Sequence, residues 1–103
     1  MDRSQARAIA IQYAAEVTKV LQPTAIVLFG SYINGTPTED SDIDIAVIVH
    51  DFHGDWLETA SMLCGLSWNV SFDIEPHLLD DTQDRSGFVA HVIKTGEVIY
   101  RAA

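Results

Sequence analysis

Two aspartates lie two positions apart where the sequence turns from polar to apolar. Asp42 and Asp44 open a predicted strand that runs from Asp42 to Val49. Because side chains alternate along a strand, both carboxylates point to the same face, with Cα atoms about 6.5 Å apart. The opposite face of this strand is apolar. The two acids are therefore predicted to lie at the edge of a core.

A third carboxylate is predicted on another strand, Asn69–Pro76. Val70, Phe72 and Ile74 alternate there with Ser71, Asp73 and Glu75. If the two strands are neighbours in register, Asp73 converges with Asp42 and Asp44 on one spot. Glu75 shares a face with Asp73, so it is an alternative or an assistant for the same role.

Three converging carboxylates need compensating positive charge. No Lys or Arg lies within ten residues of Asp42, Asp44 or Asp73, and unneutralised carboxylates at this distance repel strongly. Mg²⁺ or Mn²⁺ is the natural compensation, because both ions prefer carboxylate oxygens and also hold substrate phosphates. Asp42, Asp44 and Asp73 are therefore candidate metal ligands.

A phosphate site is predicted just upstream. Gly30 closes the apolar run of residues 25–30, AIVLFG, which is typical of a buried strand, and Ser31 follows it. Glycine lets the backbone approach a phosphate closely, and the serine adds a hydroxyl donor. If residues 31–34 begin a short helix, its free N–H groups favour an anion as well.

The remaining elements must position these residues. Helical spacing predicts a helix from an N-cap at Ser4 to a stop at Pro23, and a second one over Trp56–Leu66. Residues 31–41 have the composition of a turn, and His50–Asp55 that of a loop. Ser86 is predicted to cap a last helix that reaches about Lys94 and ends at Gly96, and Glu97–Arg101 is predicted as a closing strand.

Strands interleaved with helices predict an α/β (α+β) fold in which helices flank a small mixed β-sheet. With 103 residues, 48% of them hydrophobic, the chain is predicted to form a single domain over 1–103. No apolar run is long enough for a membrane span, and the start does not resemble a signal peptide. The single cysteine, Cys64, cannot form an internal disulfide and is predicted to be a buried, inert thiol; a reducing cytoplasm is the expected compartment.

The charge of the chain limits its partners. There are 15 acidic and 6 basic residues, for a formal net charge of −9. Phosphate backbones are bound through Lys and Arg, so nucleic acid is not expected as a direct partner. The charge is compatible with a nucleotide brought in with a divalent metal, and it suits a basic protein partner.

The segment LFGSYINGTPTEDSDIDIAVIV resembles the signature of the polymerase-β-like nucleotidyltransferases, and more narrowly the minimal nucleotidyltransferases of bacteria and archaea. The C-terminal stretch HVIKTGEVIY is also typical of these small domains. The resemblance implies that Gly30 and Ser31 bind the terminal phosphates of a nucleotide. It implies that Asp42 and Asp44 ligate the metal, and that Asp73 helps a second metal and accepts a proton from the attacking hydroxyl.

One departure concerns the turn after Ser31. Members of the family commonly carry an arginine there, whereas this chain has Tyr32, Ile33, Asn34 and Gly35. Phosphate binding would then depend more on metal and backbone, or on basic groups of a partner.

Minimal nucleotidyltransferases resemble antitoxins that are paired with HEPN-type ribonuclease toxins and that transfer AMP from ATP to a toxin tyrosine. The resemblance therefore implies a Mg²⁺-dependent protein adenylyltransferase with ATP and a HEPN-domain toxin as partners. Two alternatives stay open: an antitoxin that acts by binding alone, and a small-molecule nucleotidyltransferase similar to the aminoglycoside-modifying enzymes.

Overall fold

The fold was obtained as a computed structural model, which describes residues 2–35 and 42–103. Of the turn predicted over residues 31–41, the part from 36 to 41 lies outside these residues. The helices are α1 (Arg3–Val17), α2 (Ser31–Asn34), α3 (Trp56–Trp68) and α4 (Phe88–Thr95). The strands are β1 (Ala25–Phe29), β2 (Ile43–Val49), β3 (Ile74–Asp80) and β4 (Glu97–Arg101), and a 3₁₀ turn follows β3 at Asp81–Gln83.

The four strands form one mixed sheet in the order β3-β2-β1-β4. β1 pairs antiparallel with both β2 and β4, whereas β2 and β3 are parallel. A parallel pair needs a long connection from one end of the sheet to the other, and α3 supplies it. The predicted α/β fold with a small mixed sheet is confirmed.

Helices cover both faces of the sheet. Ile26 and Leu28 of β1 pack in one cluster with the buried side of α1, including Tyr13, and with Leu63 of α3. On the other face, Val27 belongs to a second cluster that contains two valines of α4. β1 and β2 are therefore apolar on both sides, as expected for central strands buried between layers.

The N-cap of the first helix lies two residues before the cap predicted at Ser4. Asp2 is the N-cap: its carboxylate accepts from the backbone N–H of Gln5, and the Gln5 side chain accepts from the backbone N–H of Asp2. This reciprocal capping box satisfies two N–H groups that the helix itself leaves free. The helix ends at Val17, so the stop predicted at Pro23 is too late.

The third strand differs most from its prediction. α3 continues to Trp68 instead of ending at Leu66, and β3 begins at Ile74, five residues later than predicted. Phe72, placed on a buried face by the alternation, has 83% of its surface exposed. β3 also continues through Pro76, because an edge strand tolerates a residue that has no N–H to donate.

Two further predictions need correction. Gly87, with φ = 75°, is the N-cap of α4 in place of Ser86, and the Asp84 carboxylate accepts from the N–H groups of Val89 and Ala90. Cys64 is exposed on α3, not buried. Within the described ranges, no helix is both long and apolar enough to cross a membrane.

Candidate functional site

The site lies where β2 begins, at the centre of the sheet. In the pairing register, Asp44 of β2 stands opposite Phe29 of β1 on one side and opposite Glu75 of β3 on the other. His77 lies two residues beyond Glu75 and therefore on the same face of the sheet. The register thus brings an aspartate, a glutamate and a histidine together on neighbouring strands.

These three residues, Asp44, Glu75 and His77, form what we name the acid–histidine cluster. One donor atom from each lies within 4.8 Å of the others. His77 Nε2 is 3.2 Å from Asp44 Oδ1 and 4.0 Å from Glu75 Oε1. Asp44 and His77 are part-buried, while about half of the Glu75 side chain is exposed. Solvent and small ligands can therefore reach the cluster from the side of Glu75.

Burial and neighbouring charges both shift the pKa of Glu75. Its pKa is raised, first because partial burial disfavours the charged form and second because the Asp44 carboxylate is close. His77 acts in the opposite direction and lowers the pKa, and Asp42 adds a smaller upward contribution. The carboxylates of Asp44 and Asp42 therefore add to the effect of burial at Glu75.

Gly30 lies against this cluster. It has φ = 85°, a conformation that side-chain-bearing residues rarely adopt, and a Cβ at this position would overlap the Asp44 carboxylate. Ser31 begins the short helix α2 directly after it, and the N–H of Ile33 donates to the Gly30 carbonyl. The glycine thus lets the strand–helix turn pass next to the acid, where a side chain would fill the space.

The other two predicted acids lie just outside the strands. Asp42 is exposed and immediately precedes β2, near enough to Glu75 to affect its pKa. Asp73 is exposed and immediately precedes β3, and its backbone carbonyl accepts from the N–H of Ile43. In the described part of the chain, the close cluster contains Glu75 and not Asp73.

His77 was not identified from the sequence. Its ring packs edge-on against Phe29, with centroids 5.2 Å apart, and Phe29 in turn contacts Phe88 at the start of α4. The signal was available in the two-residue spacing of Glu75 and His77, which matches that of Asp42 and Asp44. It could be used only after the beginning of β3 was known.

The donor set fits a divalent cation. Two carboxylates and an imidazole are common metal ligands in proteins, and the position of Glu75 opposite the Asp44 carboxylate favours an ion at this position. The oxygen-rich side of the site, which includes the nearby Asp42, suits Mg²⁺ or Mn²⁺. A candidate metal site is therefore present beside Gly30.

Comparison with known proteins identifies the class to which this fold and site belong. The family model of "Polymerase beta, Nucleotidyltransferase" matches residues 11–103. The chain therefore belongs to the polymerase beta nucleotidyltransferase family, and the predicted resemblance is confirmed. No match was found among curated proteins.

Solved structures give the particular neighbours. A candidate nucleotidyltransferase from Sulfolobus solfataricus is 18% identical, with a TM-score of 0.69 over 96% of this chain and 83% of that one. A mutant of the toxin-antitoxin pair MntA-HpeT is 21% identical, with a TM-score of 0.62. A toxin-antitoxin with AMP-PNP is 23% identical, with a TM-score of 0.63; both comparisons cover 89% of this chain and 73% of the other. These likenesses establish the fold.

Proposed function

We propose that this chain is a metal-dependent nucleotidyltransferase that acts as an antitoxin and transfers AMP from ATP to a tyrosine of a HEPN-type toxin. The observation that carries the proposal is the position of Asp44 between Gly30 and Glu75, in a chain of this family. A nucleoside triphosphate with a divalent ion requires a glycine that lets the phosphates come close to the backbone. It also requires a pair of acids to hold the ion and a side that is open to solvent.

Each part of the nucleotide has a proposed place. Gly30 and Ser31 would bind the terminal phosphates through the backbone N–H groups of the turn and the Ser31 hydroxyl. Asp42 and Asp44 would hold Mg²⁺ or Mn²⁺, and the ion would neutralise charge that develops on the phosphate oxygens. Asp42 is exposed, so it can adjust to the ion without disturbing β2.

The third carboxylate is the proton acceptor in this proposal. We assign the role to Glu75 ahead of Asp73, because Glu75 faces Asp44 whereas Asp73 precedes the strand. The tyrosine oxygen bonds to the α-phosphorus, the bond to pyrophosphate breaks, and Glu75 accepts the tyrosine proton.

The charge of the chain and its structural neighbours support a toxin as the partner. Two structural neighbours are toxin–antitoxin structures, one of them with AMP-PNP. A net charge of −9 favours association with a basic protein, such as an RNA-cleaving toxin, and speeds the encounter at low salt.

A second candidate is an antitoxin that binds its toxin without catalysis. Leu57 and Trp68 are 76% and 62% exposed on α3, and Phe72 follows in the loop. Large apolar side chains with this exposure are typical of protein interfaces. The family's arginine, which is missing after Ser31, is a further argument for weak catalysis.

Intact-mass spectrometry of the candidate toxin tests both hypotheses. The toxin is incubated with this chain, ATP and Mg²⁺, or with the Asp42→Asn variant under the same conditions. Mass gains in steps of one AMP, absent with the variant, are expected for the transferase, and peptide mapping should locate them on tyrosine.

A stable complex without any mass change would support binding alone. Transfer that persists in Asp42→Asn at the wild-type rate would contradict the assigned metal site. Absence of both transfer and complex would refute the toxin–antitoxin function.

A further inference from the structure

We infer that His77 is a nitrogen ligand of the divalent ion, so that the site prefers a first-row transition ion such as Co²⁺ or Mn²⁺ over Mg²⁺. The inference rests on the proposed function only in placing an ion beside Asp44. It does not require that AMP transfer takes place.

The distances around His77 suit direct ligation. Two donor atoms that each lie about 2.1 Å from one ion are about 3 Å apart at right angles and about 4 Å apart when nearly opposite. His77 Nε2 lies 3.2 Å from Asp44 Oδ1 and 4.0 Å from Glu75 Oε1. The separation from Asp44 falls within the range that a single ion shared by His77 and Asp44 produces.

Packing holds the imidazole in this orientation. His77 follows Glu75 and Pro76 on β3, paired with Ala46 of β2, so its backbone is fixed by the sheet. The ring lies edge-on to Phe29, with an angle of 61° between the two planes. About a third of the side chain is exposed, on the same side as the carboxylates. A ligand that is positioned in advance loses little freedom when it binds the ion.

The chemistry of nitrogen gives the selectivity. Mg²⁺ is a hard ion that takes oxygen ligands, whereas imidazole raises the affinity for first-row transition ions in the order Mn²⁺ < Co²⁺. A neutral imidazole also adds a donor without adding a third negative charge beside Asp44 and Glu75. An all-carboxylate set would lack both properties.

Pulsed EPR of Mn²⁺ bound to the nucleotide-free chain tests the ligand directly, because a directly bonded ¹⁴N modulates the electron spin echo. The wild type and a His91→Gln control, whose histidine is exposed on α4, are expected to show this modulation. His77→Gln, which places an oxygen near the position of Nε2, is expected to lose it. Titration calorimetry should show a Co²⁺ affinity reduced about tenfold or more in His77→Gln, and a Mg²⁺ affinity changed less than about threefold.

Two results would overturn the inference. One is nitrogen modulation that is unchanged in His77→Gln. The other is an equal loss of Co²⁺ and Mg²⁺ affinity, which would indicate that His77 only orients Asp44. Circular dichroism confirms that the variant is folded; if it is not, ¹⁵N-histidine labelling of the wild type changes the modulation only when a histidine nitrogen is bound.

The two failures are distinguishable. Nitrogen ligation without any AMP transfer to a toxin would leave this inference standing and remove the proposed function. AMP transfer that is supported by an ion without a nitrogen ligand would do the reverse.

Discussion

The two ends of β2 each place aspartate beside histidine, yet the carboxylates there do different things. Where β2 begins, Asp44 lies 3.2 Å from His77 and faces Glu75. Beyond the end of β2, His50 Nδ1 lies 2.7 Å from Asp81 Oδ1, and Asp80 directly precedes Asp81 in the chain. The acid–histidine cluster and this second group thus both combine aspartate with histidine, at opposite ends of β2.

The oxygens of Asp80 are used by the protein itself. The Thr82 hydroxyl donates to Asp80 Oδ1 at 2.6 Å, and the backbone N–H groups of Thr82, Phe52 and Asp51 donate at 2.9, 2.8 and 3.2 Å. The pKa of Asp80 is lowered mainly by the hydrogen bond from the Thr82 hydroxyl and then by those from the backbone donors. We name this arrangement the Asp80 cap, and it holds the loop after β2, where Asp51 has φ = 51°.

The contrast between the Asp80 cap and the acid–histidine cluster separates acids that stabilise the fold from acids that are candidates for binding a ligand. The Asp80 cap satisfies its carboxylate with donors and shifts its pKa downward. In the acid–histidine cluster, burial and then the opposing Asp44 carboxylate shift the pKa of Glu75 upward. A carboxylate that already accepts several hydrogen bonds from the protein has few lone pairs left for a ligand. A carboxylate that lies beside a second carboxylate is instead stabilised by a cation.

The largest expected effect is on catalysis at Asp44. Asp44→Asn should reduce AMP transfer about a thousandfold, because losing an ion that stabilises the transition state by several kcal/mol costs a factor of ten for each 1.4 kcal/mol. Asp81→Asn alters the matched aspartate–histidine pair at the other end of β2 and should change the rate less than about twofold. Initial rates by mass spectrometry check both, and similar losses in the two variants would remove the distinction between the two ends.

The next effect separates the two candidates for the third carboxylate. Glu75→Gln should slow transfer about a hundredfold, since a general base contributes about 10²–10⁴. Asp73→Asn should slow it less than about tenfold, because Asp73 precedes the strand. Single-turnover rates at saturating ATP decide between them, and the opposite ranking would assign the role to Asp73.

A third prediction concerns the glycine beside Asp44. Gly30→Ala should lower the free energy of unfolding by about 2–3 kcal/mol, because it combines an unfavourable φ with overlap of the Asp44 carboxylate. Gly87→Ala has a similarly positive φ but nothing within 4 Å of the added Cβ, so about 1 kcal/mol is expected. Urea denaturation measures both, and equal losses would show that the close approach to Asp44 is unimportant.

The smallest effect is the pH dependence of stability. The pKa of Asp80 is lowered in the folded state, so its contribution is complete above the unfolded value of about 4 and is lost as the pH falls below it. The pKa of Glu75 is raised, so its contribution is favourable below the unfolded value of about 4.3 and is lost as the pH rises through the folded pKa.

Thermal melts from pH 3 to pH 7 measure this contrast. Asp80→Asn should destabilise the chain most at neutral pH, with a penalty that shrinks toward pH 3. Glu75→Gln should raise the melting temperature relative to the wild type, and this gain should be larger at pH 7 than at pH 4. Shifts of the same sign in the two variants would contradict the assignment of opposite environments.

Local patterns in the sequence were sufficient for much of the fold. β4 spans Glu97–Arg101 as predicted, and α3 begins at the predicted Trp56. The buried residues of α1 recur at helical spacing: Ala6, Ala10, Tyr13, Ala14 and Val17. These features depend on periodicity and terminal residues, which neighbouring residues in the chain determine.

The site was less predictable because it depends on register between strands. The alternation around Phe72 is a local pattern typical of a strand, but α3 extends to Trp68 and residues 69–73 form the turns that follow it. Parallel pairing of β2 with β3 then places Glu75, and not Asp73, opposite Asp44. Nothing in the sequence of either strand alone specifies that alignment. The metal roles of Asp42, Asp44 and Asp73 and the phosphate roles of Gly30 and Ser31 stay predictions.

The parallel arrangement of β2 and β3 also affects folding. Asp44 and His77 are 33 residues apart in the chain and meet only after the α3 crossover has closed. Contacts of this kind form late, because the entropy of loop closure must be overcome before they contribute. An ion held between the two strands would bind the folded form alone and stabilise it by mass action. The same ion that serves catalysis would then lengthen the lifetime of the edge strand β3, so that loss of metal would expose this side of the sheet to proteolysis first.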